Sequence, residues 1–283
     1  MSHSTSNQSE NDNPTATIPR PPGPLDIQRW GPGAWNEVVG NSELRRYFMD
    51  GLRSGQQVPN TIIMGDSRSG KTATVKLYVQ ALACSKRDSE MLSPCGRCET
   101  CRGNVGRYDH RGVFVNLTLG QSPAKRELHY MPIDCTRIGS TELRDVLDDF
   151  RDYGGLRIIY LDEVFRLKTR AMDEMLLKPL EELNYVWLAS SVSVKDLDRM
   201  FLNRFPVKLR TQLPTLEELS DWLVARCQQW EIEWDDAETL IRLVERANYS
   251  PGKTLHVLAA VSSKASRLLT RGVVESHIFD DDG

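Results

Sequence analysis

The sequence predicts an α/β fold, a parallel sheet flanked by helices, followed by a small C-terminal three-helix unit. Three stretches carry that prediction. The apolar run Thr61-Ile62-Ile63-Met64 reads as a buried parallel strand, and residues 73–82 read as a helix. Between them stands Gly65-Asp66-Ser67-Arg68-Ser69-Gly70-Lys71-Thr72, which fits the pattern Gly, four residues, Gly-Lys-Thr. A second apolar run, Arg157-Ile158-Ile159-Tyr160-Leu161, ends in the acidic pair Asp162-Glu163. From Leu213 onward the pattern is helical only.

The glycine-bearing loop joins a strand to a helix, the setting in which this spacing binds phosphate. Backbone N–H groups of such a loop and of the helix N-terminus converge on one spot and favour an anion. Gly65 and Gly70 let the backbone turn and approach oxygen atoms closely. Lys71 would reach the outer phosphates of a nucleotide such as ATP, and Thr72 would ligate magnesium, with Ala73 opening the helix behind them. Asp162, at the tip of its strand, would hold that magnesium through water, and Glu163 would orient and polarise the attacking water.

Composition fits this reading. Hydrophobic residues make up 40% and charged residues 27%, as in a soluble globular protein. No apolar run approaches the length of a membrane span and no signal peptide opens the chain, so a cytoplasmic location is expected. The net charge of -3 is concentrated in the terminal stretches, which leaves the body close to neutral and gives no strong field for nucleic acid. One region is locally basic: Arg97, Arg102, Arg107, Arg111, Lys125 and Arg126 face only Glu99 and Asp109 in the sequence. It reads equally as a solvated face or a phosphate-contacting surface.

Taken in order, residues 1–24 are rich in Ser, Asn, Thr and Pro and read as a disordered tail. The α/β domain is expected over 25–211. Residues 29–41, with Trp30, Trp35, Val38 and Val39, could wall a nucleotide base. Ser42 is placed as the N-cap of a helix through Leu52. Cys84, Cys95, Cys98 and Cys101 follow the helix after the glycine loop, within a module at about 84–101. In a cytoplasmic chain tight cysteine spacing points to metal, and four thiolates suit a closed, structural zinc. Cys135 and Cys227 read as buried small hydrophobes, and His110 as a surface residue.

Val113-Phe114-Val115 suggests a short strand, Gly120-Gln121-Ser122-Pro123 a turn, and Met131-Pro132-Ile133-Asp134 a strand. Leu143, Val146, Leu147 and Phe150 give a helix from Ser140 one apolar face. A helix is expected over 171–183, kinked or ended by Pro179. Val186-Trp187-Leu188-Ala189 is a buried strand ending at Ser190-Ser191, either of which could meet the γ-phosphate or the water, or simply turn the chain. Past Pro214, a hinge, the lid is expected over 212–279, with an acidic tail at 280–283. Thr215 and Glu218 make a capping box, Asp235 and Glu238 another, and Pro251 opens a third helix carrying Leu255, Leu258, Leu268 and Leu269.

From about Trp35 to His277 the chain resembles the clamp-loader AAA+ ATPases, the gamma/tau subunits of bacterial DNA polymerase III. The residues that carry this are Val38-Val39-Gly40, the phosphate loop, the four cysteines and Leu161-Asp162-Glu163-Val164. Leu176-Leu177-Lys178-Pro179-Leu180-Glu181-Glu182, Leu188-Ala189-Ser190-Ser191 and Asn203-Arg204 extend it. The resemblance implies ATP hydrolysis coupled to placing a sliding clamp on primed DNA, within a hetero- or homo-oligomer of loader subunits and away from any membrane. It implies that Ser190 or Ser191 is the sensor hydroxyl, that Arg204 acts on the ATP of a neighbour, and that Lys253 stands where the lid's sensor arginine is expected. The chain departs from the family in Asn-Arg-Phe around Arg204, in a lysine at 253, in an insertion at about 112–130, and in ending after the lid rather than continuing into a collar. Those departures motivate a second expectation, a collar-less nucleotide-binding adaptor. A small-molecule phosphotransferase is disfavoured, since no acceptor site is apparent.

Overall fold

The computed structural model describes residues 21–28, 30–98, 101, 117–121, 127–151, 154–168, 172–182, 185–193, 195, 197–277 and 279. The chain begins with α1 (Pro24–Gln28), α2 (Ser42–Ser54), β1 (Thr61–Met64) and α3 (Lys71–Ala83). Then come β2 (Leu117–Gln121), β3 (Glu127–Asp134), α4 (Ser140–Arg151), β4 (Leu156–Asp162), α5 (Phe165–Lys168), β5 (Tyr185–Ser191), α6 (Arg199–Leu202) and β6 (Val207–Arg210). The remaining elements are α7 (Leu216–Gln229), β7 (Glu233–Trp234), α8 (Ala237–Arg246), α9 (Pro251–Ser262), β8 (Leu268–Leu269) and α10 (Arg271–Ser276).

Six strands form one sheet in the order β2-β3-β4-β5-β1-β6. Five of them are parallel, and β2 runs antiparallel on the β3 edge. Strand parity divides the core. Ile159 and Leu161 of β4 pack into one apolar cluster, with Trp187 and Phe201, while Ile158 and Tyr160 pack into the cluster on the other face, with Val75 and Tyr78 of α3. Burial on both faces explains why β4 and β5 read as unbroken apolar runs rather than alternating ones. Because β5 lies between β1 and β4, the carboxyl ends of the three strands open side by side, where parallel α/β sheets place their ligands.

A third cluster lies in the helical unit, built from Leu219, Leu223, Leu243, Val257 and Leu258. Ile27 of α1, fully buried, belongs to it. The helix that opens the described chain therefore packs on the lid, although it precedes the sheet in sequence. The junction between the units is pinned: Asn41 donates its N–H to Gln212 O and accepts from Gln212 N, both at 2.9 Å.

Several local expectations change. Residues 172–182 form no continuous helix but two 3-10 turns, Glu174–Leu176 and Pro179–Glu181, because Pro179 has no N–H to carry helix bonding across. Ser42 is the first residue of α2 and not its cap. Asn41 takes the cap position with φ 50°, and Ser42 donates to Gln212 Oε1. The capping box of Thr215 and Glu218 is present, but α8 is capped by Asp236, which accepts from Thr239 N, rather than by Asp235. Asp235 accepts instead from the N–H of Asp236 and of Arg271. α9 ends at Ser262, and Leu268 and Leu269 form β8 beside β7. With α10, the helical unit holds four helices and a two-stranded ribbon among the described residues, where three helices were expected. Gly120 and Gln121 lie in β2, not in a turn. Pro24 starts α1, and the rest of the expected tail up to residue 20, like 113–115 and most of the basic region, lies outside the described residues.

Candidate nucleotide site

β1 delivers the chain to Gly65 at the carboxyl edge of the sheet. Gly65 takes φ 154°, and a Cβ there would overlap Thr211 Oγ1, so this position admits only glycine. Gly70, at φ 94°, caps the N-terminus of α3, whose first N–H groups face the loop. The loop is braced from inside and outside. Ser69 Oγ donates to Asp66 O at 2.7 Å, Thr74 Oγ1 donates to Gly70 O at 2.9 Å, and Asn41 Nδ2 donates to Ser69 O at 2.8 Å.

Lys71, only 4% exposed, folds back over the loop and donates to Gly65 O at 2.8 Å and Asp66 O at 2.7 Å. Burial lowers the pKa of its ammonium, while Glu163, Asp162 and Asp66 nearby oppose that shift. Those carbonyl bonds hold the charge over the cradle, and a phosphate would compete for it as a stronger, charged acceptor.

The second cluster stands at the ends of β4 and β5. Thr72 Oγ1 donates toward both oxygens of Asp162 at 3.1 Å, Tyr160 OH lies 2.9 Å from Asp162 Oδ1, and Ser190 Oγ donates to Asp162 Oδ1 at 2.6 Å. Of the two candidate serines, Ser190 joins this network. Ser191 turns away: its hydroxyl donates to Ser193 O, and its carbonyl accepts from Gly65 N. Glu163 adopts φ 55°, held there as its N–H donates to Ser190 Oγ. This places its carboxylate on the cavity wall, where Oε2 is buried without a hydrogen-bond partner among the described residues. Burial pushes its pKa up, partly offset by Lys71. A half-desolvated carboxylate with a spare acceptor oxygen is chemically suited to hold and polarise a water. Thr72 and Asp162 present hydroxyl and carboxylate oxygens of the kind that magnesium takes, so the residues fit that ion.

A cavity of about 290 Å³ lies between these elements and the lid. Arg68, Ser69, Gly70, Lys71, Thr72, Ala73 and Thr74 form one wall, together with Glu163. Trp30, Val38, Val39 and Trp222 form an apolar end suited to a base, and Pro251, Gly252, Leu255 and His256 of α9 close it from the lid. Lys253, the expected lid sensor, is not on that wall and is 8% exposed. Helix geometry explains this: 252, 255 and 256 share a face at three- and four-residue spacing, and 253 points about 100° away. Arg204 does not line the cavity either; it follows α6, where its guanidinium pairs with Glu181.

The lid rests directly on the phosphate loop. Arg68, at φ 63°, turns its carbonyl to the start of α9, where it accepts from Gly252 N at 3.3 Å and Ser250 Oγ at 3.2 Å. A Cβ on Gly252 would meet Arg68 Cβ at 2.6 Å and Arg68 O at 2.8 Å. Arg68 Nη1 lies 3.1 Å from His256 Nδ1, and since a guanidinium has no acceptor, the imidazole accepts there.

At the far end of α3, the Sγ atoms of Cys84, Cys95, Cys98 and Cys101 all lie within 4.8 Å of one another, and the 95–101 and 84–98 pairs are 3.9 Å apart. Tetrahedral zinc thiolates, with bonds of about 2.3 Å, need sulfur separations close to this. The N–H groups of Arg97 and Cys98 point at Cys95 Sγ and lower its thiol to about 6, which favours the thiolate a metal requires. Burial pushes Cys84 up. Cys135 and Cys227 are buried thiols, as expected.

Sequence reasoning passed over Tyr160, Trp222 and His256, and it gave Asn41, inside the expected wall 29–41, no role of its own. Tyr160 had a legible signal, since it stands two residues before Asp162 and so on the same strand face. The partnership of Asn41 with Ser69 and Gln212 spans 28 and 171 residues, which no local pattern encodes.

A parallel sheet, a glycine loop at its switch edge, an acidic strand tip beside it and a helical lid give the chain the fold of the P-loop AAA+ proteins. No protein-family model matches the chain. It is similar to the DNA polymerase III subunit tau/gamma of Haemophilus influenzae, with 25% identity over 264 residues, 90% of this chain and 35% of that protein. The chain thus spans about a third of the length of that relative. A shorter match, 28% over 74 residues, is to the Protein STICHEL of Arabidopsis thaliana and covers 26% of this chain and 6% of that one. Among solved structures, the Thermotoga maritima RuvB Holliday junction branch migration motor superposes with a TM-score of 0.57 at 14% identity, covering 91% of this chain and 75% of that one. A substituted form of the T. maritima RuvB gives 0.59 at 14% identity, with the same coverage. These structures share the fold.

Proposed function

We propose that the chain is an ATP-hydrolysing subunit of clamp-loader type. The observation that carries this reading is the convergence of Lys71, Thr72, Asp162, Ser190 and Glu163 on one loop, in a chain similar to tau/gamma over nine-tenths of its length. ATP would lie with its phosphates on the loop, and magnesium, held by Thr72 and by Asp162 through water, would neutralise charge between the outer phosphates. Lys71 exchanges its carbonyl partners for phosphate oxygens, Glu163 holds the attacking water, and Ser190 keeps Asp162 in place. Arg204 would complete the site of an adjoining subunit after leaving Glu181. The partners are other loader subunits, a sliding clamp and primed DNA, and the setting is the cytoplasm. No helix among the described residues is long and apolar enough to cross a membrane.

The alternative, a nucleotide-binding adaptor, is favoured by two specific observations: Arg204 is engaged within its own chain, and Lys253 is off the cavity wall. Hydrolysis by the purified protein, with and without clamp and primed DNA, separates the two. Stimulation by both supports loading, whereas hydrolysis without stimulation leaves a motor of another kind. No hydrolysis with intact nucleotide binding favours the adaptor.

The four cysteines would hold structural zinc. One metal per chain by elemental analysis, and a fall in melting temperature of several degrees on chelation, are the expected results. Four readily alkylated thiols with unchanged melting would remove the metal.

A further inference from the structure

We infer that Tyr160 is a positioning residue of the metal–nucleotide site, an inference that rests on the ATPase reading above. The tyrosine is fully buried in a strand whose other central residues are Ile158, Ile159 and Leu161. Apolar side chains satisfy such a strand, and a phenol there requires a polar partner. Its partners include the two side chains that would hold the metal: OH lies 2.9 Å from Asp162 Oδ1 and 3.1 Å from Thr72 Oγ1. The contact adds a second link between the first turn of α3 and the tip of β4, beside the bond from Thr72 to Asp162 itself.

Thr72 has competing demands on one oxygen. In the structure it donates to Asp162, and as a metal-holding residue its lone pairs must face the ion. A weakened Thr72–Asp162 bond would leave the carboxylate to its other donors. Ser190 reaches Oδ1 from β5, and Tyr160 reaches the same oxygen from the β4 face. Two donors on Oδ1 fix the rotation of the carboxylate and present Oδ2 to metal-bound water. The tyrosine therefore acts through Asp162 and touches no reacting atom.

The test is Tyr160→Phe, which keeps the ring and removes the hydroxyl, alongside Tyr160→Leu, which matches the neighbouring strand residues. Affinity for a fluorescent ATP analogue is measured with excess EDTA and across a magnesium titration, and manganese binding is followed by electron paramagnetic resonance. Both variants should bind nucleotide in EDTA within about twofold of wild type, yet need roughly five- to tenfold more magnesium for half-maximal tightening, the size expected for one lost hydrogen bond to a charged group. Excess magnesium should restore kcat. An unchanged magnesium midpoint in a folded variant overturns the role of Tyr160 alone. A wild-type protein that binds no nucleotide, or binds it with no magnesium dependence, overturns the site reading on which it rests. Loss of affinity in EDTA to the same degree as in magnesium makes Tyr160 a packing residue and likewise overturns the proposal.

Discussion

The two walls of the cavity are built on different principles. On the sheet side most polar groups hold one another, the spare oxygen of Glu163 apart: Lys71 grips loop carbonyls, while Thr72, Tyr160 and Ser190 converge on Asp162. On the lid side the contacts are a backbone N–H, a serine hydroxyl, an imidazole and a glycine pressed against Arg68. The first wall is held in shape by charge and hydrogen bonding, and only Lys71 and Thr72 would need to exchange partners to receive a ligand. The second is organised by shape, and its role is to follow the first.

The largest expected effect tests the charged wall. Lys71→Ala should weaken ATP binding by about a hundredfold or more, since it removes the buried cation held over the loop. Titration calorimetry showing retained affinity would move the phosphates elsewhere. Next is Glu163→Gln, expected to lower hydrolysis by about a hundredfold while binding persists. The same change should stabilise the fold modestly at neutral pH, because it removes a charge that burial disfavours. The sign follows from the raised pKa of Glu163. The folded state holds its proton to higher pH than the unfolded state, so wild-type stability falls as pH climbs from the ordinary glutamate range through the raised value. The gain from Gln is therefore present above that window and disappears below it. Melting curves across pH that show no such convergence would place Glu163 in solvent.

The shape-built wall is tested by Gly252→Val. The added carbons would press on Arg68 and force α9 off the loop, with an expected loss of about tenfold in nucleotide affinity and little change in melting. Equal affinity would mean that the lid does not shape the site. The smallest effect is predicted for Lys253→Ala, within about threefold in affinity and turnover, because its side chain lies off the wall. A loss as large as that of Lys71→Ala would erase the contrast between the walls.

The same contrast marks what could be read in the sequence. The sheet wall was legible almost residue by residue because its parts are local: a loop spacing between a strand and a helix, and two carboxylates at the end of an apolar run. The four cysteines were legible for the same reason. The lid wall was not, because its surface depends on which turn of α9 faces the loop. The family resemblance put a sensor at Lys253, whereas the three- and four-residue spacing of Gly252, Leu255 and His256 selects the face that is used. The helix expected over 171–183, kinked or ended at Pro179, is over 172–182 a pair of 3-10 turns divided there, and the strand at Leu268 and Leu269 escaped notice because its partner, Glu233 and Trp234, lies far upstream. Asn41, whose side chain ties loop, junction and helix together, has no sequence signature, since its effect comes from tertiary partners alone.

The carbonyl of Arg68 is shared property. It belongs to the loop that would wrap a phosphate, yet it anchors the first turn of the lid. Any shift of the loop backbone at this peptide is thereby carried to the first turn of α9.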